Sequence, residues 1–239
     1  MPLAAAQTPP KAKPILITSA GSRLAQSLAA GLKDKYPLRM TERKTVQTAH
    51  EFVECALGHD ASTNALMRGV DAVVHVAEPL PEDTPEQQID HATRCTYNLL
   101  TAASDESVPL VVLLSTLDVM SGYSPNLTVT ETWRPRPSAD TRVLAKHLAE
   151  FTAREFARDA KANVVVLRLG KVVRADDVKG DPFDPLWVEE RDVVHAVSCA
   201  LTARLGRWQI FHIQPDSAKS RFAVTRAKSA LKYQPQYQW

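Results

Sequence analysis

The stretch Lys13-Pro14-Ile15-Leu16-Ile17-Thr18-Ser19-Ala20-Gly21-Ser22-Arg23-Leu24-Ala25-Gln26-Ser27-Leu28 constrains the fold more than any other part of the chain. Ile15 to Ile17 is a short apolar run bounded by small turn residues, the pattern of a buried strand. Leu24, Leu28 and Leu32 then recur four apart, which places them on one face of a helix. Strand, small-residue turn and helix in immediate succession form the opening of a βαβ unit of the dinucleotide-binding kind, whose helix N-terminus faces a pyrophosphate.

Apolar runs and helical patterns alternate from there on. Strands are expected at Pro37–Thr41 (ending at Glu42), Glu51–Cys55, Ala72–Ala77, Leu110–Leu114 and Val164–Leu169. Helices are expected over 60–69, 86–104 and 139–158, the last with Val143, Leu144, Leu148, Phe151 and Phe156 as its apolar face. This order predicts an α/β fold, a Rossmann-type doubly wound parallel sheet with helices on both faces. The continuous β-branched run Ala72–Ala77 suits a strand covered on both sides. Beyond residue 170 the pattern gives a loop at 172–187, a helix opening with Asp192 as its N-cap, a strand Trp208–Ile213 and a helix near 222–232. No linker composition intervenes. The chain therefore reads as a disordered Ala/Pro tail over 1–12 and one domain over 13–239, with 170–239 a small substrate-side appendage.

Bulk properties exclude several classes. Net charge is +2 with Lys and Arg dispersed, which argues against a nucleic-acid partner. The longest apolar runs fall far short of a membrane span, so no membrane partner is expected. Cys55, Cys95 and Cys199 are scattered in apolar segments, which suggests reduced thiols in a cytoplasmic protein and no metal site. Glycine is scarce, 8 residues against 16 prolines, although a phosphate-cradling turn ordinarily needs it.

Several landmarks now stand in order: Ile15–Ala25, Asp71-Ala-Val-Val-His-Val-Ala77, Thr96-Tyr-Asn-Leu-Leu100, Leu114-Ser-Thr-Leu-Asp-Val119, Lys146, Val166-Leu-Arg-Leu-Gly170 and Arg191-Asp-Val-Val194. Together they resemble the short-chain dehydrogenase/reductase superfamily, in its extended NAD-dependent epimerase/dehydratase-like branch, over roughly residues 13–235. The resemblance implies a Rossmann domain binding NAD or NADP, no metal, and a homodimer through the helices near 86–104 and 139–158.

Position by position, the motifs are degenerate. The family turn T-G-x-x-G-x-x-G reads Thr18-Ser19-Ala20-Gly21-Ser22-Arg23-Leu24-Ala25 here. Ser19 and Ser22 put a Cβ where turn or phosphate needs space, and two readings stand: a turn that only caps a helix, or a weakened phosphate site held by Ser19, Gly21, Ser22, Arg23 and Leu24. Glu42 stands where an acid would bind a ribose 2′-hydroxyl, while Arg43 and Lys44 beside it would suit a 2′-phosphate. The resemblance adds Val76 and Ala77 as cofactor contacts and puts Ala56 where an adenine-binding aspartate is usual, with Asp60 as its only substitute. His75, inside an apolar strand, reads as a core histidine.

Thr116 matches the family's catalytic Ser/Thr, and Lys146 its catalytic and ribose-binding lysine. The tyrosine one helical turn before that lysine is replaced by Arg142, and the family's helix asparagine by Ala92. A guanidinium has no acceptor and stays protonated, so Arg142 cannot do the tyrosine's proton transfer. Tyr123 is the nearest stand-in phenol, and Tyr97 lacks the spacing. Arg142 and Lys146 at i, i+4 repel unless an anionic ligand sits between them, or an acid such as Asp118 pairs with them. The first expectation is a protein without the Tyr-Lys chemistry, serving as a nucleotide-binding sensor or interaction subunit. The alternative is an active NAD(P)-dependent oxidoreductase or nucleotide-sugar epimerase/dehydratase using Thr116, Lys146 and an unidentified acid/base.

Overall fold

The computed structural model describes residues 12–217 and 220–237, so the expected tail lies outside the described residues except for Ala12. Seven parallel strands form the central sheet: β1 (Ile15–Ile17), β2 (Leu38–Glu42), β3 (Glu51–Glu54), β4 (Ala72–His75), β5 (Val111–Thr116), β6 (Val164–Leu169) and β9 (Trp208–Ile213). Their order is β3-β2-β1-β4-β5-β6-β9, so the winding reverses between β1 and β4. In open sheets of this kind the crevice at that reversal, beyond the carboxyl ends of the strands, is where ligands bind.

Helices α1 (Arg23–Leu32) and α6 (Glu190–Thr202) cover one face, α2 (Ala61–Met67), α4 (Thr96–Asp105) and α5 (Thr141–Arg158) the other. The period-2 alternation of the strands divides their side chains accordingly. Ile15 and Ile17 pack with Leu28 and Leu32 of α1 and Val193 and Val197 of α6, while Leu16 packs toward Leu99 and Leu100 of α4. The six-residue α3 (Pro85–Asp90) passes through a π-helical turn, His91–Cys95, into α4, so the expected helix 86–104 exists with an irregular middle.

Three local expectations are corrected. The buried face of α5 is Ala145, Ala149, Ala153, Phe156 and Ala157, whereas Phe151 is 52% exposed. Alanines let α5 lie close to the sheet, and the larger residues flank that contact. Asp192 is not an N-cap: α6 is capped three residues earlier, by Glu189, and the fully buried Asp192 carboxylate accepts the amides of Gln236 and Tyr237 at 2.8 and 3.0 Å. The expected loop 172–187 is entered and left by a two-stranded parallel pair, β7 (Lys171–Val173) with β8 (Trp187–Glu189). Gly170 makes that pair accessible, since a Cβ there would run into the Leu186 carbonyl. The C-terminal part thus adds α6 and β9 to the main layers, and its last helical turn is a π-helix, Ala227–Leu231.

Two polar features lie inside the apolar layers. Arg168 of β6 and Glu150 of α5, 1% and 5% exposed at the side chain, form a bidentate pair with contacts of 2.9 and 2.7 Å. His91 is buried with no hydrogen-bond partner on either ring nitrogen among the described residues, and His212 is buried against the Phe222 ring beside the Ala223 backbone. Burial pulls His91 down to about 4 and His212 to about 3, with Arg43 and Lys146 adding to the first shift and Arg168 to the second.

Removing one partner of the buried pair leaves the other charge stranded, so Glu150→Ala should cost about 3–5 kcal/mol in urea unfolding. The double replacement Glu150→Leu with Arg168→Met should recover much of that loss. The histidines give the fold an acid sensitivity. Both stay neutral when folded, whereas the unfolded chain takes up protons as pH falls through about 6.5. Their stability is therefore complete above that pH and declines until about pH 4 for His91 and about pH 3 for His212. Between pH 6 and 5 each should remove about 1 kcal/mol, and His91→Gln should flatten its share of the slope.

Candidate active site

The crevice between β1 and β4 is built from the turn that opens the sequence. Ser19 adopts a left-handed backbone (φ 55°), the conformation that a glycine would take without strain. Its hydroxyl donates to the Glu78 carbonyl and accepts the Glu78 amide, both at 3.0 Å, so it bridges the exits of β1 and β4. Ser22 caps α1, accepting the Ala25 amide at 3.2 Å. Gly21 donates to Glu42 Oε2 at 3.4 Å, and Glu42 also accepts the Arg43 amide at 2.8 Å. The amides of Arg23 and Leu24, in the first turn of α1, have no intrahelical acceptor and keep the helix N-terminus able to hold an anion.

The cations near the crevice are largely committed. The Arg23 side chain pairs with Glu190 and Asp177, on the far side of the loop after β7. Arg43 pairs with Asp83, and Lys44 with Glu82, so the loop after β4 reaches across to the end of β2. Asp60 caps α2, accepting from Ser62 and Thr63, and is not released to replace the acid missing at Ala56.

Further along the same edge, a cavity of about 370 Å³ opens beyond β4, β5 and β6, lined among others by Ala77, Glu78, Ser115, Thr116, Arg142 and Lys146. Lys146 donates to the carbonyls of Val76, Ala77 and Leu114 at 2.7, 3.1 and 3.3 Å and pairs with Glu78 at 3.2 Å. Thr116 accepts the Asp118 amide and donates to its Oδ2, both at 3.1 Å. The expected pairing of Arg142 with Asp118 is absent. Among the described residues the Arg142 side chain makes no ion pair or hydrogen bond; only its amide is held, by Asp140.

His75 is the core histidine expected. Its Nδ1 lies 2.9 Å from Thr18 Oγ1 and its Nε2 3.0 Å from Thr96 Oγ1, and burial pulls its pKa well down. Each ring nitrogen therefore has a threonine hydroxyl as partner, so the neutral ring is satisfied where it lies, and Thr18 also accepts the Val76 amide. Tyr123 is no stand-in: its hydroxyl donates to the Arg134 carbonyl at 2.7 Å, its ring packs on Trp133, and it does not line the cavity. Tyr97 lies beside Phe156, outside the cavity.

Sequence reasoning did not single out Ser115 or Glu78. Ser115 is buried, lines the cavity, and its Oγ has no partner among the described residues. Both follow directly on recognised strand ends, which is the only signal that could have drawn attention to them. Among the described residues no group of three or more His, Cys, Asp or Glu is placed to hold a metal ion, and no helix is long and apolar enough to cross a membrane.

Comparison with known proteins agrees with this fold. NAD-dependent glucose-6-phosphate dehydrogenase from Haloferax volcanii is 24% identical over 247 residues, covering 94% of this chain and 93% of the relative. A variant of uronate dehydrogenase from Agrobacterium tumefaciens, solved in complex with NAD, superposes with a TM-score of 0.82 at 20% identity, over 94% of this chain and 85% of that one. Glucuronic acid dehydrogenase from Chromohalobacter salexigens gives 0.80 at 18% identity, over 95% and 85%. The structural likenesses show the Rossmann-type fold. The model of the NAD dependent epimerase/dehydratase family matches residues 19–185, and the chain belongs to that family.

Proposed function

We propose that the protein is an NAD-dependent oxidoreductase acting on a small substrate that carries a hydroxyl or carbonyl group. The observation that carries this reading is the cavity beside the β1/β4 crevice, lined by Thr116, by Ser115 with its unpartnered hydroxyl and by Arg142 with its unpaired side chain. The end-to-end match to an NAD-dependent dehydrogenase weighs for the active alternative over a protein without chemistry.

The residues of the crevice fit a dinucleotide. Free amides of Arg23 and Leu24 suit a pyrophosphate at the α1 N-terminus. The buried Glu42 carboxylate at the end of β2 suits a ribose diol and opposes a 2′-phosphate, while Arg43 and Lys44, which would favour that phosphate, are neutralised by Asp83 and Glu82. Bound there, NAD supplies the hydride acceptor. Arg142 contributes a fixed charge and no proton transfer. The hydroxyl proton falls to the Thr116–Asp118 pair: Thr116 Oγ1 takes it from the substrate while passing its own proton to the Asp118 carboxylate, already 3.1 Å away.

A second reading, cofactor binding without turnover, is favoured by the commitment of all three Lys146 donors to carbonyls and by the guanidinium in the phenol's place.

Calorimetric titration should give NAD binding at least about tenfold tighter than NADP binding, and Glu42→Ala should narrow that ratio. No heat with either cofactor at millimolar concentration would overturn the oxidoreductase reading. In steady-state assays, Asp118→Asn should lower kcat by about 10²-fold or more with little change in KM. Tight NAD binding with no reduction of any hydroxy acid, sugar or sugar phosphate would favour the second reading.

A further inference from the structure

We infer that the cavity recognises its substrate by an oxyanion, a carboxylate or a phosphate, gripped by the Arg142 guanidinium with Ser115 Oγ as a second donor. The grip deepens the oxidoreductase reading, on which the word substrate rests, but it is a binding property and can be measured without turnover.

Charge at this edge of the sheet supports it first. Arg23, Arg43, Lys44, Lys146 and Arg174 each face a carboxylate. Arg142, which is exposed, does not, although Asp118 lines the same cavity: that carboxylate is turned to the Thr116 hydroxyl. One helical turn along α5, the Lys146 ammonium is offset by Glu78 at 3.2 Å, so the cation left over at the cavity is Arg142. A guanidinium with its fork of donors uncommitted matches carboxylate and phosphate oxygens bidentately.

Ser115 is the second, independent observation. Its side chain is buried and its residue lines this cavity; its Oγ has no hydrogen-bond partner among the described residues and no open surface as placed, so a turn about χ1 is what presents it to a ligand. An unpartnered buried hydroxyl costs free energy that a ligand acceptor would return. A cation and an unsatisfied hydroxyl on two different elements, α5 and β5, thus belong to residues that line one space.

Size narrows the class. At about 370 Å³ the cavity is near the lower end of the roughly 300–1,000 Å³ typical of ligand sites. It suits a compact sugar acid, hydroxy acid or sugar phosphate better than a nucleotide sugar, and a neutral sugar leaves Arg142 without a partner.

The test is calorimetric titration of the full chain, with and without NAD, using glucuronate, glucose 6-phosphate and glucose as probes. At least one anion should bind at least about tenfold tighter than glucose, and whichever binds identifies the oxyanion as carboxylate or phosphate. Arg142→Gln should weaken that anion roughly ten- to hundredfold, Arg142→Lys less, and Ser115→Ala several-fold, with circular dichroism and melting temperature unchanged. Glucose binding as tightly as both anions, no anion binding up to about 10 mM, or an Arg142→Gln protein that binds the anion unchanged would each overturn the inference. Anion binding lost in Arg142→Gln without NAD turnover would leave the grip standing and remove the oxidoreductase reading. NAD-dependent turnover of neutral sugars alone would do the reverse.

Discussion

Lys146 reaches from α5 to the carbonyls of Val76 and Ala77 beyond β4 and of Leu114 in β5, and its ammonium lies 3.2 Å from the Glu78 carboxylate. An ammonium has three protons, and three carbonyls take them. The Glu78 backbone is in turn clasped by the Ser19 hydroxyl from the exit of β1. The turn after β1, the ends of β4 and β5, and the first turns of α5 are therefore held as one unit, and every candidate site residue is positioned relative to it. Ser19 and Ala77 both lie in the left-handed region, at φ 55° and 54°. That conformation costs a residue with a Cβ roughly 1–2 kcal/mol. The Ser19–Glu78 bonds and the Lys146–Ala77 bond offset it, which is how a glycine-poor chain keeps the sharp strand exits of a dinucleotide fold.

The same pairing logic runs through the interior. Leu167 and Leu169 face α1 and α6, while Val164 and Val166 face the α5 side, so Arg168 also points toward α5 and finds Glu150 there. Burying that pair is tolerable only because the guanidinium and the carboxylate meet bidentately. Against such thorough neutralisation, a cation left alone at a cavity is informative. Arg142 is itself exposed, so water satisfies it in the free protein, and what sets it apart is its place in the cavity lining with no carboxylate turned to it.

Much of the fold was legible because a two-faced parallel sheet writes itself into sequence as continuous apolar runs between helical periods. Val164–Leu169 and Trp208–Ile213 appear with the bounds their composition implies. What was illegible depended on distant partners. The α5 face was misread because Phe151 weighs more in a hydrophobic pattern than Ala149, yet close packing selects the alanine. Asp192 looked like a cap because caps are local, whereas its partners Gln236 and Tyr237 lie 44 and 45 residues away. The β7–β8 pair joins segments that show no strand period of their own. The site divides in the same way: Thr116, Arg142 and Lys146 were legible as motif positions, but the commitment of Lys146 to Val76, 70 residues distant, was not, nor the freedom of Ser115.

An arginine at position 142, where the resemblance expects a tyrosine, changes what the edge can offer a ligand. A phenol can move a proton and carries no charge at neutral pH; a guanidinium cannot move one and always carries charge. Read as loss, the exchange deletes acid–base help worth about 10²–10⁴ in rate. It also leaves an exposed guanidinium in the cavity lining with no acid paired to it, unlike Arg43 and Arg174. On the oxidoreductase reading the two effects belong together. Proton transfer moves to Thr116 and Asp118, already hydrogen-bonded to each other, and position 142 is released to select the substrate by charge. Selection then precedes chemistry: an anion held at Arg142 is positioned against Thr116, whereas a neutral analogue gains nothing from the guanidinium and leaves the buried Ser115 hydroxyl unsatisfied.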